Sequence, residues 1–395
     1  MKKWVLMISQ NNYPEGDAGA IRDEAFASIY SSLGYKVVIV CQGKNSERGS
    51  FNEHSYISLY KDVKNLSEKI KRYVSYKKRL KELLEELIRE NGKPKIIHLY
   101  DAPTNGIKYI KQYAQDNSVL LVHDSVEWYS PEEFKLGRFD KSYILKKQLN
   151  TKLIDSQFRV IAISKYLEQH FLLKECRVTR IPVVMNVLSL PMAFPDTKSN
   201  ITRISYAGSP ANKDYLGKIL EAISLLDNNK KEKVEVRIIG ITKEQALQNN
   251  ILSEEVLNRI EECTHFLGRV SRNQVIDELC NSHYTILVRP KEARYARAGF
   301  PTKIVESLAV GVPVICNYTS DLGQYLVDGE NSIEISSEIT EDIMKAVERA
   351  IDLSKSEWER MHIKARDTAE EHFYYQNYVQ PMKKLLEVEN DYLYQ

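Results

Sequence analysis

Residues 297–315 read RAGFPTKIVESLAVGVPVI, a segment that joins a small-residue loop, a helix-length stretch and a short apolar run. Gly299 lets the backbone approach a ligand closely, and Pro301 suits the first position of a helix. The closing VPVI has the length and composition of a buried strand. The segment therefore predicts a loop–helix–strand unit, which is the building block of parallel sheets.

The same alternation of apolar runs and amphipathic stretches continues along the chain. A first series of predicted strands comprises Val5–Ile8, Val37–Val40, Ile96–Leu99, Val119–His123, Val160–Ile163 and Val178–Ile181. A second series comprises Ile201–Tyr206, Val234–Ile239, His265–Leu267, Tyr284–Val288, Val312–Ile315 and Ser332–Ile335. We expect an α/β fold of two Rossmann-like, doubly wound parallel-sheet domains facing a cleft, with ligands beyond the carboxyl ends of the strands.

A proline-rich lapse in this alternation predicts the domain boundary. Three of the twelve prolines fall between Pro182 and Arg203, so we expect a linker at residues 187–203. The domains would then span residues 1–186 and 204–373.

The charge of the chain is divided unevenly. The 395 residues carry a formal net charge of +2, but residues 1–186 carry +9 and the remainder carries −7. The five cysteines are scattered without a CxxC, which fits neither a disulfide framework nor a zinc site. No apolar run has the length of a secretory or membrane-spanning segment, so the sequence favours a cytoplasmic location.

Two stretches of the second half are candidate phosphate sites. Lys303 and the preceding helix start could hold a diphosphate, and Glu306 could bind ribose hydroxyls. Residues 206–213 form a small-residue turn that ends in Lys213 after a strand; it matches neither GxGxxG nor GxxxxGK. The alternative is that the first stretch is only a structural unit and Lys213 only a surface lysine.

Two stretches of the first half could face a sugar. Gly16 and Gly19 follow the first strand, and their loop could lie against a sugar or phosphate. His123, Asp124 and Glu127 close another strand, where His123 could bond a sugar hydroxyl. A flexible surface loop and a buried structural histidine are the alternatives. The chain has no Asp-x-Asp, so a metal-bound nucleotide-sugar site built on that motif has no candidate here.

Together these stretches resemble the family 4 glycosyltransferases, which are retaining enzymes of the GT-B fold, of the type found in bacterial polysaccharide or glycoconjugate synthesis. The resemblance also includes residues 161–164, 266–269 and 311–322. It implies an acceptor-binding first domain, a nucleotide-sugar-binding second domain, and a helix at residues 374–395 that packs back on the first domain.

The resemblance also assigns roles to residues. It implies that Glu306 binds the donor ribose, that the loop at Arg269 and Val270 flanks the base, and that Lys213 binds phosphate. The predicted catalytic residues are His123, Lys213, Arg289 and Arg297. The predicted donor-binding residues are Gly16, Gly19, Ser209, Arg269, Val270, Arg294, Gly299, Phe300, Lys303 and Glu306, and the predicted acceptor-side residues are Asp124 and Glu127.

The sequence departs from the family pattern at two positions. Ala298 stands eight residues before Glu306, where the family has its first motif glutamate, and Ser209 replaces an arginine that usually binds phosphate. We expect Arg289, Arg294 and Arg297 to restore the positive charge. A noncatalytic GT-B partner subunit, or a nucleotide-sugar epimerase or phosphorylase of the same fold, is the alternative function.

The resemblance thus predicts a retaining, metal-independent hexosyltransferase without a cofactor. It would move a hexose or N-acetylhexosamine from a nucleotide diphosphate sugar, with UDP as the expected nucleotide, to a glycan in cell-surface polysaccharide or glycoconjugate synthesis. Residues 61–81 carry nine basic and two acidic side chains on a helix-like stretch. This stretch favours peripheral contact with the anionic inner face of the cell membrane and a lipid-linked acceptor, although a solvated helix face is the alternative. No recognition motif for nucleic acid accompanies it.

Overall fold

The computed structural model describes residues 3–14, 16, 18–43, 48–61, 65–100, 104–193, 200–208 and 213–387. It divides the chain into two compact units. Unit 1 comprises Met1–Met185 together with Tyr375–Gln395, and unit 2 comprises Asn186–Tyr374. Each unit contains one sheet.

The sheet of unit 1 has eight strands. In chain order they are β1 (Trp4–Asn12), β2 (Lys36–Gly43), β3 (Arg48–Phe51), β4 (His54–Lys61), β5 (Ile96–Tyr100), β6 (Leu120–Ser125), β7 (Phe158–Ala162) and β8 (Arg177–Arg180). They are arranged in the order β3-β4-β2-β1-β5-β6-β7-β8, and all pairs are parallel except β3 with β4. The central strand β1 is buried along Trp4–Ile8, as expected for a parallel strand that is covered on both faces.

The first helices of unit 1 are α1 (Ala18–Ser32), α2 (Leu66–Asn91), α3 (Thr104–Asn117), α4 (Lys141–Gln148) and α5 (Lys165–Leu172). The long helix α2 buries Tyr76, Leu80 and Leu84, whose spacing of four residues places them on one face. Its remaining face carries most of the basic side chains of the stretch 61–81.

All six strands predicted in the first half overlap strands of this sheet. The sequence analysis missed the hairpin of β3 and β4, whose edge strand β3 is short and largely exposed and has no apolar run. In β4 (HSYISLYK) polar and apolar residues are mixed, and among its described side chains only His54 and Ser58 are buried. This hairpin therefore lacks the continuous apolar run by which other strands are predicted.

The sheet of unit 2 has six parallel strands, and all of them overlap predicted ones. They are β9 (Thr202–Ala207), β10 (Val234–Ile239), β11 (Thr264–Gly268), β12 (Tyr284–Leu287), β13 (Val314–Cys316) and β14 (Ser332–Glu334). Their order is β11-β10-β9-β12-β13-β14. The helices are α6 (Leu216–Leu225), α7 (Asn228–Lys231), α8 (Lys243–Gln248), α9 (Glu254–Ile260), α10 (Arg272–Cys280), α11 (Arg294–Ala298), α12 (Thr302–Ala309), α13 (Thr340–Asp352) and α14 (Lys355–His372).

The chain returns to unit 1 at its end. Helix α15 (Val379–Leu386) buries Met382 and Leu385 in the same apolar core as α1. Arg177 of β8 donates to the carbonyl oxygens of Lys384 and Glu387, at 2.6 Å and 2.7 Å. Residues 388–395 of the predicted terminal helix lie outside the described part of the chain.

Part of the predicted linker at 187–203 packs within unit 2. Val187–Ser189 form a short 3-10 helix, and the amide of Ala193 donates to the carbonyl of Val310 at 2.7 Å. Residues 194–199 lie outside the described residues, and β9 begins at Thr202. Across the ranges that the structure describes, no helix is long and apolar enough to cross a membrane.

Candidate functional site

In unit 2, the residues of the predicted phosphate sites gather at the carboxyl ends of β9 and β12. Gly208 directly follows β9 with a φ of +144°, and a Cβ there would overlap the end of the Lys303 side chain. The absence of a side chain at Gly208 therefore lets the Lys303 ammonium lie against the backbone of this turn. Ser209, predicted to bind the donor, lies outside the described residues.

Asp214 is the centre of this group. Its side chain is 2% exposed, and its carboxylate accepts hydrogen bonds from Arg289 Nε at 2.9 Å, Tyr206 Oη at 2.8 Å and Lys303 Nζ. Lys303 Nζ also donates to Tyr206 Oη at 3.1 Å. Two cations from distant parts of the chain thus converge on one buried carboxylate.

The protonation states follow from this arrangement. Burial alone would raise the pKa of the Asp214 carboxyl, but the neighbouring Lys303 and Arg289 charges outweigh burial and hold this pKa below its ordinary value. Burial lowers the pKa of the Lys303 ammonium, and Asp214 partly opposes that shift. Burial also raises the pKa of the Tyr206 hydroxyl, so at neutral pH this hydroxyl is a neutral hydrogen-bond donor.

The backbone around Arg289 is held in place from the next strand. Asn317, which follows β13, accepts a hydrogen bond from the Arg289 amide at 3.0 Å and donates to its carbonyl at 2.7 Å. The side chain of Arg289 is 14% exposed. Arg289 is therefore positioned at both its backbone and its guanidinium.

Lys213 is placed differently from Lys303. Its carbonyl accepts a hydrogen bond from Tyr295 Oη at 2.9 Å, and its ammonium lies 5.8 Å from the centre of the Tyr295 ring. The described contacts therefore bring Lys303 and Arg289 together on Asp214, and they place Lys213 beside α11. Sequence reasoning named all three cations but not Asp214 or the Tyr206 hydroxyl.

The segment around α11 contains most of the remaining predicted donor-binding residues. Arg294 is half-buried and Arg297 is exposed, both on α11, and Gly299 is buried at its end. Phe300 packs edge-on against Tyr325, with ring centres 5.7 Å apart, so its side chain belongs to the core. Ala298, which stands where the family has its first motif glutamate, is fully buried.

Glu306, predicted to bind ribose, lies on α12 and has a partner that sequence reasoning missed. Arg272 of α10 donates to Glu306 Oε1 at 2.6 Å, and the Glu306 side chain is 14% exposed. Arg269 is exposed and Val270 half-buried on the turn between β11 and α10. Arg269 and Val270 thus directly precede the helix α10, and Arg272 of that helix bonds Glu306.

Unit 1 has a pocket of about 280 Å³ at the carboxyl ends of its strands. Four of the predicted residues line it, namely Gly19, His123, Asp124 and Glu127, together with Asn11 and Asn150. Gly16 is half-buried just after β1 and does not line this pocket. Gly19 and residues 123–127, which come from two separate stretches of the sequence, thus line one pocket.

His123 is 2% exposed and lies edge-on to the rings of Phe171 and Phe158, with centre distances of 5.9 Å and 6.4 Å. Burial lowers the pKa of its imidazole to about 4, so the ring is neutral at neutral pH. Within the described residues, its Nδ1 has no hydrogen-bond partner. A neutral imidazole can bond a hydroxyl, but it supplies no positive charge.

Asp124 has an internal partner that the sequence analysis did not foresee. Arg22 of α1 donates to both Asp124 oxygens, from Nε at 2.7 Å and from Nη2 at 2.8 Å, and also to the carbonyl of Pro182 at 2.6 Å. Arg22 and Asp124 are both nearly inaccessible to solvent. In the described arrangement, this ion pair fixes α1 to β6, and both oxygens of Asp124 are engaged.

Gly19 lies in the first turn of α1 and not in the predicted loop, and a second buried carboxyl holds the side chain beside it. Asp23 accepts hydrogen bonds from Ser9 Oγ at 2.7 Å and Asn11 Nδ2 at 2.8 Å. Burial raises the pKa of Asp23 to about 7. A Cβ at Gly19 would overlap the Asn11 carboxamide, so glycine is needed for this close approach.

Comparison with known proteins gives one match to a protein family. Residues 197–368 match the family model described as glycosyl transferases group 1. This match covers most of unit 2 and less than half of the chain. No curated protein sequence matches the chain.

Comparison with solved structures extends the similarity to the whole chain. Sucrose-phosphate synthase from Thermosynechococcus elongatus aligns with a TM-score of 0.74 and 12% identity, over 97% of this chain and 98% of that one. HepE from Anabaena, solved in complex with UDP and glucose, aligns with a TM-score of 0.67 and 14% identity over 98% and 99%.

WaaG, described as a glycosyltransferase involved in lipopolysaccharide biosynthesis, aligns with a TM-score of 0.65 and 13% identity over 96% and 98% of the two chains. Identities this low establish the fold alone. The chain therefore has the two-domain α/β fold of the GT-B glycosyltransferases, and its second unit carries the sequence pattern of the glycosyl transferases group 1.

Proposed function

We propose that this protein is a retaining, metal-independent glycosyltransferase of family 4 that takes its sugar from a nucleotide diphosphate sugar. The observation that carries the proposal is the convergence of Lys303 and Arg289 on Asp214, beside Gly208 at the carboxyl edge of the second sheet. Parallel sheets bind ligands at this edge, and the group 1 match covers the same residues.

The diphosphate of the donor fits the charge of this cluster. Arg289 and Lys303 contribute two positive charges and Asp214 one negative charge, which leaves an excess of one cation, and Lys213 beside α11 would add a third cation. Asp214 holds two of these cations in fixed positions, so little reorganisation is needed when the diphosphate binds. Preorganised donors of this kind stabilise the charge that a leaving group develops.

The reaction we propose is a front-face displacement. The bond between the anomeric carbon and the β-phosphate oxygen breaks, and a bond to the acceptor oxygen forms on the same face of the sugar. The proton of the acceptor hydroxyl passes to the departing phosphate oxygen. Lys303, Arg289 and Lys213 stabilise the negative charge on that phosphate, so catalysis rests on positioning and electrostatics.

The nucleoside is expected at Glu306. Arg272 engages Oε1 of this carboxylate, which leaves Oε2 for the ribose hydroxyls. Arg269 and Val270 precede α10, which carries Arg272, and would flank the base. UDP is our choice of nucleotide, and the UDP and UDP-glucose complexes of HepE, a protein of the same fold, support it.

The acceptor is expected at the pocket of unit 1. Its volume of about 280 Å³ suits one sugar ring, and Glu127 and the neutral His123 supply polar groups at its wall. Because both oxygens of Asp124 are bonded to Arg22, we assign Asp124 to positioning this wall. The transferred sugar would be a hexose or N-acetylhexosamine, in cell-surface polysaccharide or glycoconjugate synthesis.

Helix α2 supports a lipid-linked acceptor at the inner face of the cell membrane. Lys71, Lys77 and Lys78 are exposed on α2, next to the exposed aliphatic side chains of Ile70 and Val74. Basic and apolar groups on one helix face are suited to an anionic bilayer surface. We propose peripheral contact through this helix.

A thermal-shift screen of nucleotide sugars on the full chain tests the donor proposal. A specific donor should raise the melting temperature in proportion to the logarithm of its concentration, because it binds only the native state. The accepted donor should then be hydrolysed slowly without acceptor, and NMR of the released sugar should show retained anomeric configuration. A screen in which no nucleotide sugar shifts the transition would refute the proposal.

The buried Ala298 favours one alternative, a noncatalytic GT-B subunit. An alanine supplies no carboxylate where the family has its first motif glutamate, and Ala298 is also fully buried. Such a subunit would bind a nucleotide sugar without hydrolysing or transferring it. Binding together with measurable hydrolysis by the isolated chain would exclude this alternative. Release of free nucleotide with an altered sugar would instead indicate an epimerase.

A further inference from the structure

Unit 1 carries a second exposed apolar element, well separated from α2 in the sequence. The turn at residues 134–139, hereafter the apolar turn, exposes 68% of Leu136 and 78% of Phe139. These are large fractions for side chains of this size. Arg138 lies between them in the turn and is also exposed.

The apolar turn is held in place by packing of the residue Phe134. Phe134 points inward, with its ring centre 5.6 Å from that of Tyr129 and 5.7 Å from that of Tyr143, which is buried. Two 3-10 helices, Pro131–Glu133 and Gly137–Phe139, shape the turn. The outward direction of Leu136 and Phe139 is thus set by packing.

The apolar turn and α2 belong to the same surface. Lys141, which begins the helix after the turn, places its ammonium 4.9 Å from the ring centre of Tyr73 on α2. The two elements together expose Ile70, Val74, Leu136 and Phe139, and they also expose six basic side chains: Lys71, Lys77, Lys78, Lys135, Arg138 and Lys141.

We propose that the apolar turn inserts Leu136 and Phe139 into an anionic lipid bilayer, while the lysines of α2 and the turn bind the headgroups. The basic surroundings select an anionic bilayer over a neutral protein partner. The proposal rests on the peripheral membrane contact proposed above for α2 and adds an insertion point to it.

The residues on either side of the apolar turn line the pocket of unit 1. Lys146 on α4 lies 4.5 Å from the ring centre of Tyr129, and both residues line that pocket. A bilayer at the apolar turn would therefore place a membrane-anchored acceptor beside the residues proposed to bind its sugar. This arrangement explains why an apolar insertion element lies at this position of unit 1.

Depth-dependent quenching tests insertion directly. Phe139→Trp is mixed with phosphatidylcholine vesicles, with and without phosphatidylglycerol, that contain brominated lipid. The matched control is Leu173→Trp, because Leu173 is 88% exposed at the end of α5 in the same unit. We expect bromine quenching of the added tryptophan in Phe139→Trp with anionic vesicles, and none in Leu173→Trp. Equal quenching in the two variants would overturn the proposal.

Vesicle sedimentation supplies the second measurement. The double variant Leu136→Ser/Phe139→Ser should bind anionic vesicles at least about tenfold more weakly than the wild type, whereas Leu173→Ser should bind equally well. Nucleotide-sugar hydrolysis without vesicles should be unchanged in the double variant. If the donor proposal is wrong, this hydrolysis will be absent from the wild type as well, and the vesicle measurements will not be affected. Unchanged vesicle binding of the double variant would refute insertion. Insertion would also be refuted if the double variant lost self-association on size exclusion and kept its lipid binding.

Discussion

Replacement of Lys303 by methionine separates the role of its ammonium from that of its carbon chain. Lys303→Met keeps the length of the side chain over Gly208 and removes the charge that Asp214 holds in place. If this ammonium contacts the leaving diphosphate, its loss should lower kcat/KM for the donor roughly a hundredfold. This corresponds to an increase of about 3 kcal/mol in the activation free energy.

The effect on stability should be smaller. Asp214 would keep its hydrogen bonds from Arg289 Nε at 2.9 Å and Tyr206 Oη at 2.8 Å, so the buried carboxylate would still be paired. The lost interactions are the hydrogen bonds from the Lys303 ammonium to Asp214 and to Tyr206 Oη, and because the Lys303 side chain is 25% exposed their loss corresponds to about 2 kcal/mol. The loss in folding free energy should therefore be smaller than the increase in activation free energy.

The assay is donor hydrolysis and transfer at varied donor concentration, with chemical denaturation of the same preparations. The matched control is Lys345→Met, because Lys345 is an exposed lysine of unit 2 whose ion pair with Asp342 spans 3.4 Å. The control should retain kcat/KM and stability, since exposed pairs contribute little. Wild-type kcat/KM in Lys303→Met, with a large loss in Lys213→Met, would refute the assignment and move the phosphate contact to Lys213.

Three further predictions concern stability. Arg22→Met should lower the unfolding free energy by about 3–5 kcal/mol in urea titration because it leaves Asp124 buried and unpaired; an unchanged midpoint would contradict this. Ala298→Glu should destabilise the fold without raising transfer activity, since the site is fully buried, and a more active, stable variant would disprove it. The Asp23 carboxyl has a pKa of about 7 when folded against 3.8 ordinarily, so its contribution to stability is lost as pH rises from about 4 to 7. Asp23→Asn should therefore flatten the pH dependence of unfolding in that window, and an unaltered profile would count against it.

The sequence predicted most parallel strands because they contain buried apolar residues between helix-length stretches. β1 is the clearest case, since its apolar run Trp4–Ile8 is buried throughout. The hairpin of β3 and β4 could not be found by the same signal, since one of its faces remains accessible to solvent. Strand prediction thus succeeded for the inner parallel strands other than β4 and for the edge strands β8, β11 and β14, and it failed for the β3–β4 hairpin.

The site was predicted only in part, because the missing partners are distant in sequence. Asp214 lies 89 positions from Lys303, and Asp124 lies 102 positions from Arg22. A carboxylate after a strand has many cations available along the chain, and only the folded backbone determines which of them reaches it. Sequence reasoning therefore named Lys303 and Arg289 without Asp214, and it named Asp124 without Arg22.

Asp214 also bears on the charge asymmetry of the chain. Residues 187–395 carry a net charge of −7, which by itself would repel a nucleotide diphosphate. A buried carboxylate that gathers Arg289 and Lys303 places two cations at one point and neutralises only one of them. The local excess of positive charge therefore comes from side chains in fixed positions. It persists at ionic strengths that screen the charges on the rest of the surface. Unit 2 can therefore bind a diphosphate although its net charge is negative, because Asp214 holds Arg289 and Lys303 together at one point.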